Sequence, residues 1–526
     1  MREEVGYVYE SPSVTEFTFV VSNDGAVGVG DYVLTEDPND PTSYIMGRVE
    51  DVRRDVHEGI KGEVMRALML GSNTVPDLDW TVIARVEVLG VLTENFDIRD
   101  ARRPAKPMAK VYKMSDEELE KLLSPADPER AVYLGRVKDS TARVFLDPNA
   151  LVSLHCAVLG MTGSGKSYTV GVLIEEMSRL GIPVIVIDPH GEYPSLRKPA
   201  ESIPDGWDVE PEGIDDVVTF GPNGPDDGYD YEIIIDTTNL NVEDFKLLIP
   251  QMRKYKKADE YVHEAIQALK DEWKKTGVKY DLADIIEKLE EKKKFVRKAT
   301  EESAIDAALT SLRKLHRICG NLFGKEDSPD LRRFVRAGRV VVLSLKGLPD
   351  EAQQAVVTYF LKRIFEFRQS DEIPPVFTIL EEAHNFAPTG EEMTRDKTAI
   401  SAVRDFAREG RKFLAGLCVV SQRPGRVDST VLSQCNTMII LKTANPDDLD
   451  NIRKSGEGIT REALERIKSL PVGSAYVTGS AVKIPLFVDV RPRRTAHGGA
   501  TPDVFEVIRK HEATNVDVDD DFDIGV

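Results

Sequence analysis

The chain has 526 residues, too many for one hydrophobic core, so several domains are expected. Hydrophobic residues make up 41% of the sequence, yet no apolar run approaches the ~18 residues that cross a bilayer, and the amino terminus lacks a basic-then-apolar signal. The four cysteines are scattered, lie mostly in apolar runs and form no CxxC pair, which favours buried reduced thiols over zinc ligands or disulfides. Composition therefore predicts a cytoplasmic multidomain protein with buried, reduced thiols and no membrane contact.

The net charge of the chain bears on whether it can bind nucleic acid. Lys and Arg number 69 against 90 Asp and Glu, a formal net charge of −21. A strongly negative protein is at first a poor partner for a polyanion. A ring-shaped assembly can nevertheless be acidic outside and basic along its channel, so nucleic acid is not excluded.

The first 95 residues predict a small β-barrel or sandwich. Stretches rich in Val, Tyr, Phe and Thr alternate with turn-forming clusters, and these stretches are residues 17–21, 31–35, 43–52 and 82–92. A helix is predicted over residues 58–70. Residues 96–132 are predicted to be a linker with an accessory helix, which begins at a capping box formed by Ser115 and Glu118.

Residues 160–167, GMTGSGKS, have the GxxxxGK[ST] spacing of a phosphate-binding loop. An apolar strand is predicted before the loop and a helix after it. Glycines let consecutive backbone N–H groups surround an anion, Lys166 reaches the β and γ phosphates of ATP, and the Ser167 hydroxyl ligates Mg²⁺. The predicted nucleotide-binding residues are Gly160, Thr162, Gly163, Ser164, Gly165, Lys166, Ser167 and Tyr168.

Three predicted strands end in polar residues at the edge of a parallel sheet where ligands bind. Asp188 follows residues 184–187 and could orient Mg²⁺ or cap the following turn. After residues 376–380, Glu382 is placed to position water and Glu381 to hold the Mg²⁺ shell. Gln422 ends the next strand, where its amide can sense the γ phosphate.

A helix predicted over residues 402–413 carries several arginines. Arg404 and Arg408 share one face, and Arg411 follows three residues later. One of them is a candidate for a charge-stabilising arginine finger, with Arg408 slightly preferred. Ion pairs with Asp405 and Glu409 are the alternative for the others.

The remaining pattern defines one interrupted α/β domain. Residues 133–235 and 336–490 alternate strands and helices and are predicted to share a sheet, whereas residues 240–335 read as a helical insertion. Residues 491–526 are predicted to be an irregular extension that has a short helix over 502–510 and ends in a mobile acidic tail.

The motifs GMTGSGKS, VIDPHGEY, TILEEAHNF, AREGRK and VVSQRP, in this order, resemble the HerA branch of the HerA/FtsK translocases. VGDYVL and IMGRVEDV resemble the barrel of that family, so the likeness covers nearly the whole chain. The resemblance implies a RecA-like P-loop ATPase core with a helical insertion and an N-terminal small β-barrel. It also implies a homohexameric ring, ATP- and Mg²⁺-dependent movement along double-stranded DNA, and a NurA-type partner nuclease for resecting DNA ends.

The resemblance also implies residue roles. Lys166 and Ser167 bind phosphate and Mg²⁺, Glu382 activates water, Gln422 senses the γ phosphate, and the AREGRK arginines reach a neighbouring site. Asp188 matches the family's aspartate after the loop, whereas Glu381 departs from the aspartate usual in P-loop proteins. We further expect Arg395 and Lys397 to line a DNA channel and the barrel to contact the nuclease.

Two function classes remain open from the sequence. The first is a motor on duplex DNA, and the second is a nucleotide-gated clamp or assembly factor that hydrolyses ATP only to reset. A third hypothesis is a secretion-like ATPase that acts at a membrane. The absence of a predicted membrane segment weakens this hypothesis. DNA-stimulated ATPase activity separates the motor from the clamp.

Overall fold

The computed structural model describes residues 2–9, 11–56, 80–248, 256–324, 330–390 and 398–499, with four further positions at 504, 505, 508 and 509. Two β-sheets organise this part of the chain. None of its helices combines the length and apolar character needed to span a membrane. The predicted helix over 58–70 and the acidic tail lie outside the described residues, as does most of the predicted 502–510 helix.

The amino-terminal sheet is a closed barrel, as the sequence predicts. Its strands are β1 (Glu3–Tyr9), β2 (Glu16–Val21), β3 (Tyr32–Asp37), β4 (Asp40–Val56), β5 (Trp80–Leu92), β6 (Ile98–Arg99) and β7 (Lys110–Lys113). Pairing of β2 with β5 joins the ends of the order β2-β1-β7-β3-β4-β5, and β6 adds to β5. Closure removes the exposed edges that a small open sheet would present.

The barrel extends past its predicted boundary at residue 95. Strand β7 lies between β1 and β3, so the barrel cannot close without residues that the sequence assigned to a linker. Only four residues long and preceded by a basic, proline-rich stretch, β7 gives too short an alternation to be recognised. The accessory helix after it is confirmed, including the capping box of Ser115 and Glu118.

The second sheet has twelve strands, in the order β13-β12-β14-β11-β15-β16-β10-β17-β18-β19-β8-β9. Its strands are β8 (Val132–Val137), β9 (Arg143–Leu146), β10 (Cys156–Leu159), β11 (Val184–Asp188), β12 (Val217–Gly221), β13 (Tyr231–Glu232), β14 (Val340–Ser344), β15 (Val376–Leu380), β16 (Ala415–Ser421), β17 (Thr437–Leu441), β18 (Ser474–Gly479) and β19 (Leu486–Val490). The prediction that the two α/β segments share one sheet is confirmed. The sequence did not predict β19, which pairs with β8 and joins the two segments.

The parallel part of this sheet runs from β13 to β17. Strands β10, β11, β14, β15, β16 and β17 are buried along their whole length, which explains their continuous apolar sequences. The four cysteines are buried and unpaired, as predicted. Because parallel strands end at the same edge, polar residues that follow β10, β11, β15 and β16 meet there.

Helices cover both faces of the sheet. They are α1 (Asp116–Leu123), α2 (Pro148–Ser153), α3 (Lys166–Arg179), α4 (Val242–Leu248), α5 (Lys256–Thr276), α6 (Leu282–Lys293), α7 (Ala299–Cys319), α8 (Leu331–Phe334), α9 (Asp350–Gln369), α10 (Ala399–Glu409), α11 (Ser429–Leu432), α12 (Pro446–Ser455) and α13 (Arg461–Lys468). Helices α4 to α8 form the predicted insertion. Its apolar side chains belong to the same core cluster as those of α9 and the sheet, so the insertion packs on the ATPase core.

Residues 491–499 have no regular structure but are part of the ATPase fold, so the predicted boundary at 490 is too early. Arg491 is fully buried and donates to Glu175 and Glu176 of α3, at 2.9 Å in each case. Glu175 also accepts the backbone N–H of Thr495 at 2.9 Å. A segment held by side chains more than 300 residues away has no local periodicity, which is why the sequence pattern missed it.

The barrel contacts the ATPase domain through a buried arginine. Arg48 of β4 donates to the carbonyl of Pro485 at 3.1 Å and to Glu87 of β5 at 2.8 Å, and it also pairs with Glu50. On the ATPase side, the Arg466 guanidinium of α13 lies 3.9 Å from the centre of the Phe487 ring. A buried guanidinium such as that of Arg48 is stable only with several acceptors. Because one of its acceptors is the Pro485 carbonyl, Arg48 fixes the barrel against the start of β19.

Candidate functional site: a phosphate loop with acidic and amide partners

The phosphate loop is pinned between two neighbouring strands. It follows β10, and the Gly160 N–H donates to Ser421 at the end of β16 (3.3 Å). The Met161 N–H donates to Lys442, just past β17 (2.9 Å). These bonds hold the beginning of the loop at the carboxyl edge of the sheet.

Glycines in the loop are required by its geometry. Gly163 and Gly165 have φ of 75° and 99°, the left-handed region that side chains disfavour. A Cβ on Gly160 would lie 2.7 Å from the Ser164 Oγ, closer than real atoms approach. The predicted loop residues therefore form one tight turn that leads into the N-terminus of α3, a site suited to phosphate.

Lys166 is buried at the start of α3, and its Nζ lies 3.4 Å from the carbonyl oxygen of Met161. Burial lowers the pKa of this ammonium, and the nearby carboxylates of Glu382 and Glu381 oppose that effect. The buried Ser164 hydroxyl has no hydrogen-bond partner among the described residues. A buried cation and an unused donor favour an anionic ligand in this loop.

Glu381 and Glu382 both lie at this edge, as predicted. Glu381 accepts the Tyr193 hydroxyl, and its complete burial raises the pKa of its carboxyl group to about 8. Glu382 has φ of 49°, which is uncommon for a residue with a side chain. Such backbone conformations are concentrated at functional sites, where the surrounding fold maintains them.

Gln422 connects the loop to Glu382. Its Oε1 accepts the Thr162 hydroxyl. Burial raises the pKa of Glu382, while Lys166 and a hydrogen bond with the Gln422 amide act to lower it. This arrangement follows from the strand order, because β16 lies between β10 and β15. The structure thus brings Lys166, Glu382 and Gln422 together.

Two histidines near Glu382 were given no role from the sequence. The His384 Nδ1 lies 3.1 Å from the Glu382 Oε2 and 3.2 Å from the Ser421 Oγ. The His190 Nε2 lies 3.9 Å from the Glu382 Oε1. Both histidines follow the ends of strands that carry acidic candidates, and this position is the signal that could have identified them.

Asp188 acts as the cap of the turn that follows β11. Its carboxylate accepts the backbone N–H groups of His190 (3.1 Å), Gly191 (2.8 Å) and Tyr193 (3.1 Å). Burial raises the pKa of Asp188, and these three bonds act to lower it. The capping alternative is therefore present in the structure, and a role for Asp188 towards Mg²⁺ stays a prediction.

The described residues contain no cluster of three or more His, Cys, Asp or Glu side chains that would cage a metal ion. Mg²⁺ does not need such a cluster, because it commonly binds one or two protein oxygens together with nucleotide phosphates and water. Ser167 and the buried carboxylates at this edge fit that donor set.

Arg404 and Arg408 lie on α10, which ends at Glu409, and Arg411 lies in the 3-10 turn Gly410–Phe413 that follows, so the predicted helix over 402–413 is divided. Arg404 pairs with Asp428, with the shortest contact at 2.6 Å, rather than with either predicted carboxylate. Glu409 pairs with Lys412 at 2.7 Å. Arg408 and Arg411 are exposed and have no carboxylate partner within the described part of the chain. A role for either arginine in a neighbouring site stays a prediction. Arg395 and Lys397 lie outside the described residues.

Residues 132–364 match the family described as Helicase HerA, central domain, and residues 5–93 match the HAS barrel domain. The chain is 28% identical over 582 residues to the DNA double-strand break repair helicase HerA of Pyrococcus furiosus, covering 99% of this chain and 100% of that relative. It is 29% identical over 535 residues to a probable helicase of Methanocaldococcus jannaschii, covering 97% of this chain and 94% of that one.

Solved structures share the ATPase fold. The plasmid coupling protein TrwB, in complex with a non-hydrolysable GTP analogue, superposes with a TM-score of 0.52 at 13% identity, covering 74% of this chain and 95% of TrwB. VirB4 of Thermoanaerobacter pseudethanolicus superposes with a TM-score of 0.50 at 14% identity, covering 73% and 99%. At these identities the likeness concerns the fold alone.

The fold and the site define the class of the protein, a P-loop ATPase with an ATP-hydrolysing core. Residues 132–364 belong to the family described as Helicase HerA, central domain, and together with its barrel the chain is similar to HerA helicases along nearly their whole length.

The geometry predicts that phosphate binding and water activation can be separated by mutation. Lys166→Ala should weaken ATP binding and abolish hydrolysis, because it removes the buried cation. Glu382→Gln should keep ATP bound while lowering turnover by roughly 10² to 10⁴, the usual contribution of a general base. Nucleotide affinity and steady-state hydrolysis are the two measurements.

Glu290→Gln is the matched control, because Glu290 is an exposed carboxylate on α6 that pairs with Arg313. It should leave both quantities unchanged. Wild-type turnover by Glu382→Gln would show that another group positions the water.

Proposed function

We propose that the protein is an ATP-driven translocase on double-stranded DNA that acts with a partner nuclease in the resection of DNA ends during break repair. The observation that carries this proposal is the full-length similarity to relatives named DNA double-strand break repair helicases. The barrel and the ATPase site described above occur together in this one chain. The proposed place of action is the cytoplasm.

The site supports a division of the phosphoryl-transfer work. Lys166 and the loop N–H groups bind the phosphates of ATP, and Ser167 with Glu381 holds Mg²⁺, which neutralises charge on the phosphates when bound. Glu382 takes a proton from the attacking water. Gln422, hydrogen-bonded to Thr162 of the loop, reports whether the γ phosphate is present.

We propose that hydrolysis is completed by a neighbouring subunit in a homohexameric ring. Charge grows on the γ oxygens in the transition state, and an added arginine there contributes roughly 10³ to 10⁵ in rate. Within the described part of one chain, Lys166 is a buried cation beside the acidic pair. Exposed Arg408 and Arg411 suit insertion into the next subunit's site.

DNA is proposed to be held by its backbone, because a translocating motor must accept every sequence. Arg395 and Lys397, which follow the acidic strand in sequence, remain the proposed channel residues. Their basic charge suits phosphate contacts despite the net negative charge of the whole chain.

The first test is whether duplex DNA stimulates the ATPase and is traversed. Hydrolysis should rise with DNA length, be indifferent to base sequence, and decline as salt competes for the phosphates. A third strand annealed at one end of a long duplex should be displaced only when ATP is hydrolysed. Glu382→Gln, which binds ATP, is the control for displacement by binding alone.

The alternative function has its own outcome in this experiment. A nucleotide-gated clamp would hold DNA in the ATP state without length-dependent stimulation and without displacing the third strand. That result would contradict translocation while leaving the ATPase assignment intact.

We propose that the nuclease docks on the barrel, which is remote from the phosphate loop in sequence and carries exposed aromatic residues on β1. Tyr7 and Tyr9 are 37% and 44% exposed and lie on one face of that strand.

A Tyr7→Ala, Tyr9→Ala variant should lose co-purification with a NurA-type nuclease while keeping its basal ATPase. Phe295→Ala, at an exposed aromatic of the insertion, is the control, and unchanged binding by the tyrosine variant would move the contact elsewhere.

A further inference from the structure

The segment 491–499 crosses the first turn of α3 beside the phosphate loop. The Arg493 N–H donates to the Tyr168 hydroxyl at 2.8 Å. A Cβ on Gly171, one turn further along α3, would lie 2.5 Å from the Arg493 guanidinium carbon. On the other side of the segment, a Cβ on Gly498 would lie 2.2 Å from the carbonyl oxygen of Glu192. Two glycines therefore allow the segment to lie closely between α3 and the turn after β11.

Arg493 orients the imidazole of His497. Its buried guanidinium donates to Thr495 and to the carbonyl of Ala496, at 2.9 Å in each case, and its Nη1 lies 3.2 Å from the His497 Nδ1. A guanidinium has only donors, so the Nδ1 must be the acceptor and the ring proton lies on Nε2. Partial desolvation by the surrounding protein and the Arg493 charge lower the pKa of His497, which favours the neutral form of this ring.

The two rings present a small open surface. The Tyr168 and His497 ring centres are 5.9 Å apart, with an interplanar angle of 78°. His497 is exposed, and its Nε2–H has no protein acceptor within the described part of the chain. An aromatic face beside an unused N–H donor matches the chemistry of a nucleoside, which has a flat base and several acceptor atoms.

The order of groups along the site places the nucleoside near this surface. Glu382 and Gln422 mark the γ-phosphate end, where Gln422 bonds to Thr162. Lys166 serves the β and γ phosphates, so the α phosphate falls at the first turn of α3 and the nucleoside continues past Tyr168. The strap formed by residues 491–499 is the chain segment that flanks that position.

We propose that Tyr168 and His497 bind the nucleoside part of ATP, with the Tyr168 ring packing against it and the His497 Nε2–H donating to it. Arg493 is the positioning residue that fixes the tautomer and the place of His497. This inference rests on the proposed ATP site and adds a recognition surface supplied by the carboxy-terminal part of the chain.

The test compares ATP with inorganic tripolyphosphate, which has the phosphate chain and no nucleoside. His497→Ala in the full-length chain should weaken ATP binding about tenfold, the typical effect of one lost hydrogen bond, and leave tripolyphosphate binding unchanged. His497→Gln, which supplies an amide N–H, should restore part of the ATP affinity. Tyr168→Leu should also weaken ATP more than tripolyphosphate, and His263→Ala, at an exposed histidine of α5, should change neither.

Each other outcome counts against the inference. Equal weakening of both ligands by His497→Ala would mean that the strap only supports the phosphate loop, and unchanged ATP binding would remove His497 from the site. A wild-type protein that binds tripolyphosphate as tightly as ATP would overturn the nucleoside surface alone. Failure of the wild type to bind either ligand would overturn the ATP site itself.

Discussion

The structure depends on charged side chains that the sheet buries at a single edge. Lys166, Asp188, Glu381 and Glu382 are each at most 8% exposed, and burial opposes the charged form of every one. Buried charges are stable only when partners surround them. Backbone N–H groups donate to Asp188 and the Tyr193 hydroxyl donates to Glu381, whereas the buried Ser164 hydroxyl in the loop around Lys166 has no hydrogen-bond partner among the described residues. The proposed ATP and Mg²⁺ add the opposite charges that this edge requires.

Segments that lie outside the neighbouring strands also stabilise the phosphate loop and the helix that follows it. The Gly473 N–H donates to the Ser164 carbonyl at 3.3 Å, and Gly473 follows α13, whose Arg466 packs on Phe487 beside the barrel contact. On the opposite side, Arg491 ties the strap to Glu175 and Glu176 of the loop helix. Contiguous packing therefore joins the barrel, the loop and the carboxy-terminal strap. A force applied to the barrel can therefore reach the phosphate loop through directly packed residues.

The sequence predicts features that arise from local patterns and fails where distant side chains decide. The phosphate loop, the acidic pair and Gln422 were found because each follows a buried strand, and parallel strands end together. Strand β7 was missed because four residues between a basic stretch and a helix carry too little alternation. The strap was missed because its order comes from Arg491 and Glu175, which lie far apart in the chain. Similarly, His384 gains meaning only from its distance to Glu382.

The central claim is that ATP is hydrolysed at a site shared by adjacent subunits, and mixing two inactive variants tests it most directly. Arg408→Ala, Arg411→Ala chains keep an intact phosphate loop, and Lys166→Ala chains keep the arginines. In a head-to-tail ring assembled from equal amounts, about a quarter of the interfaces would combine an intact loop with intact arginines. The account predicts that verified mixed rings regain part of the ATPase activity. Mixed rings that stay inactive, or a monomer that hydrolyses ATP at the rate of the ring, would contradict it.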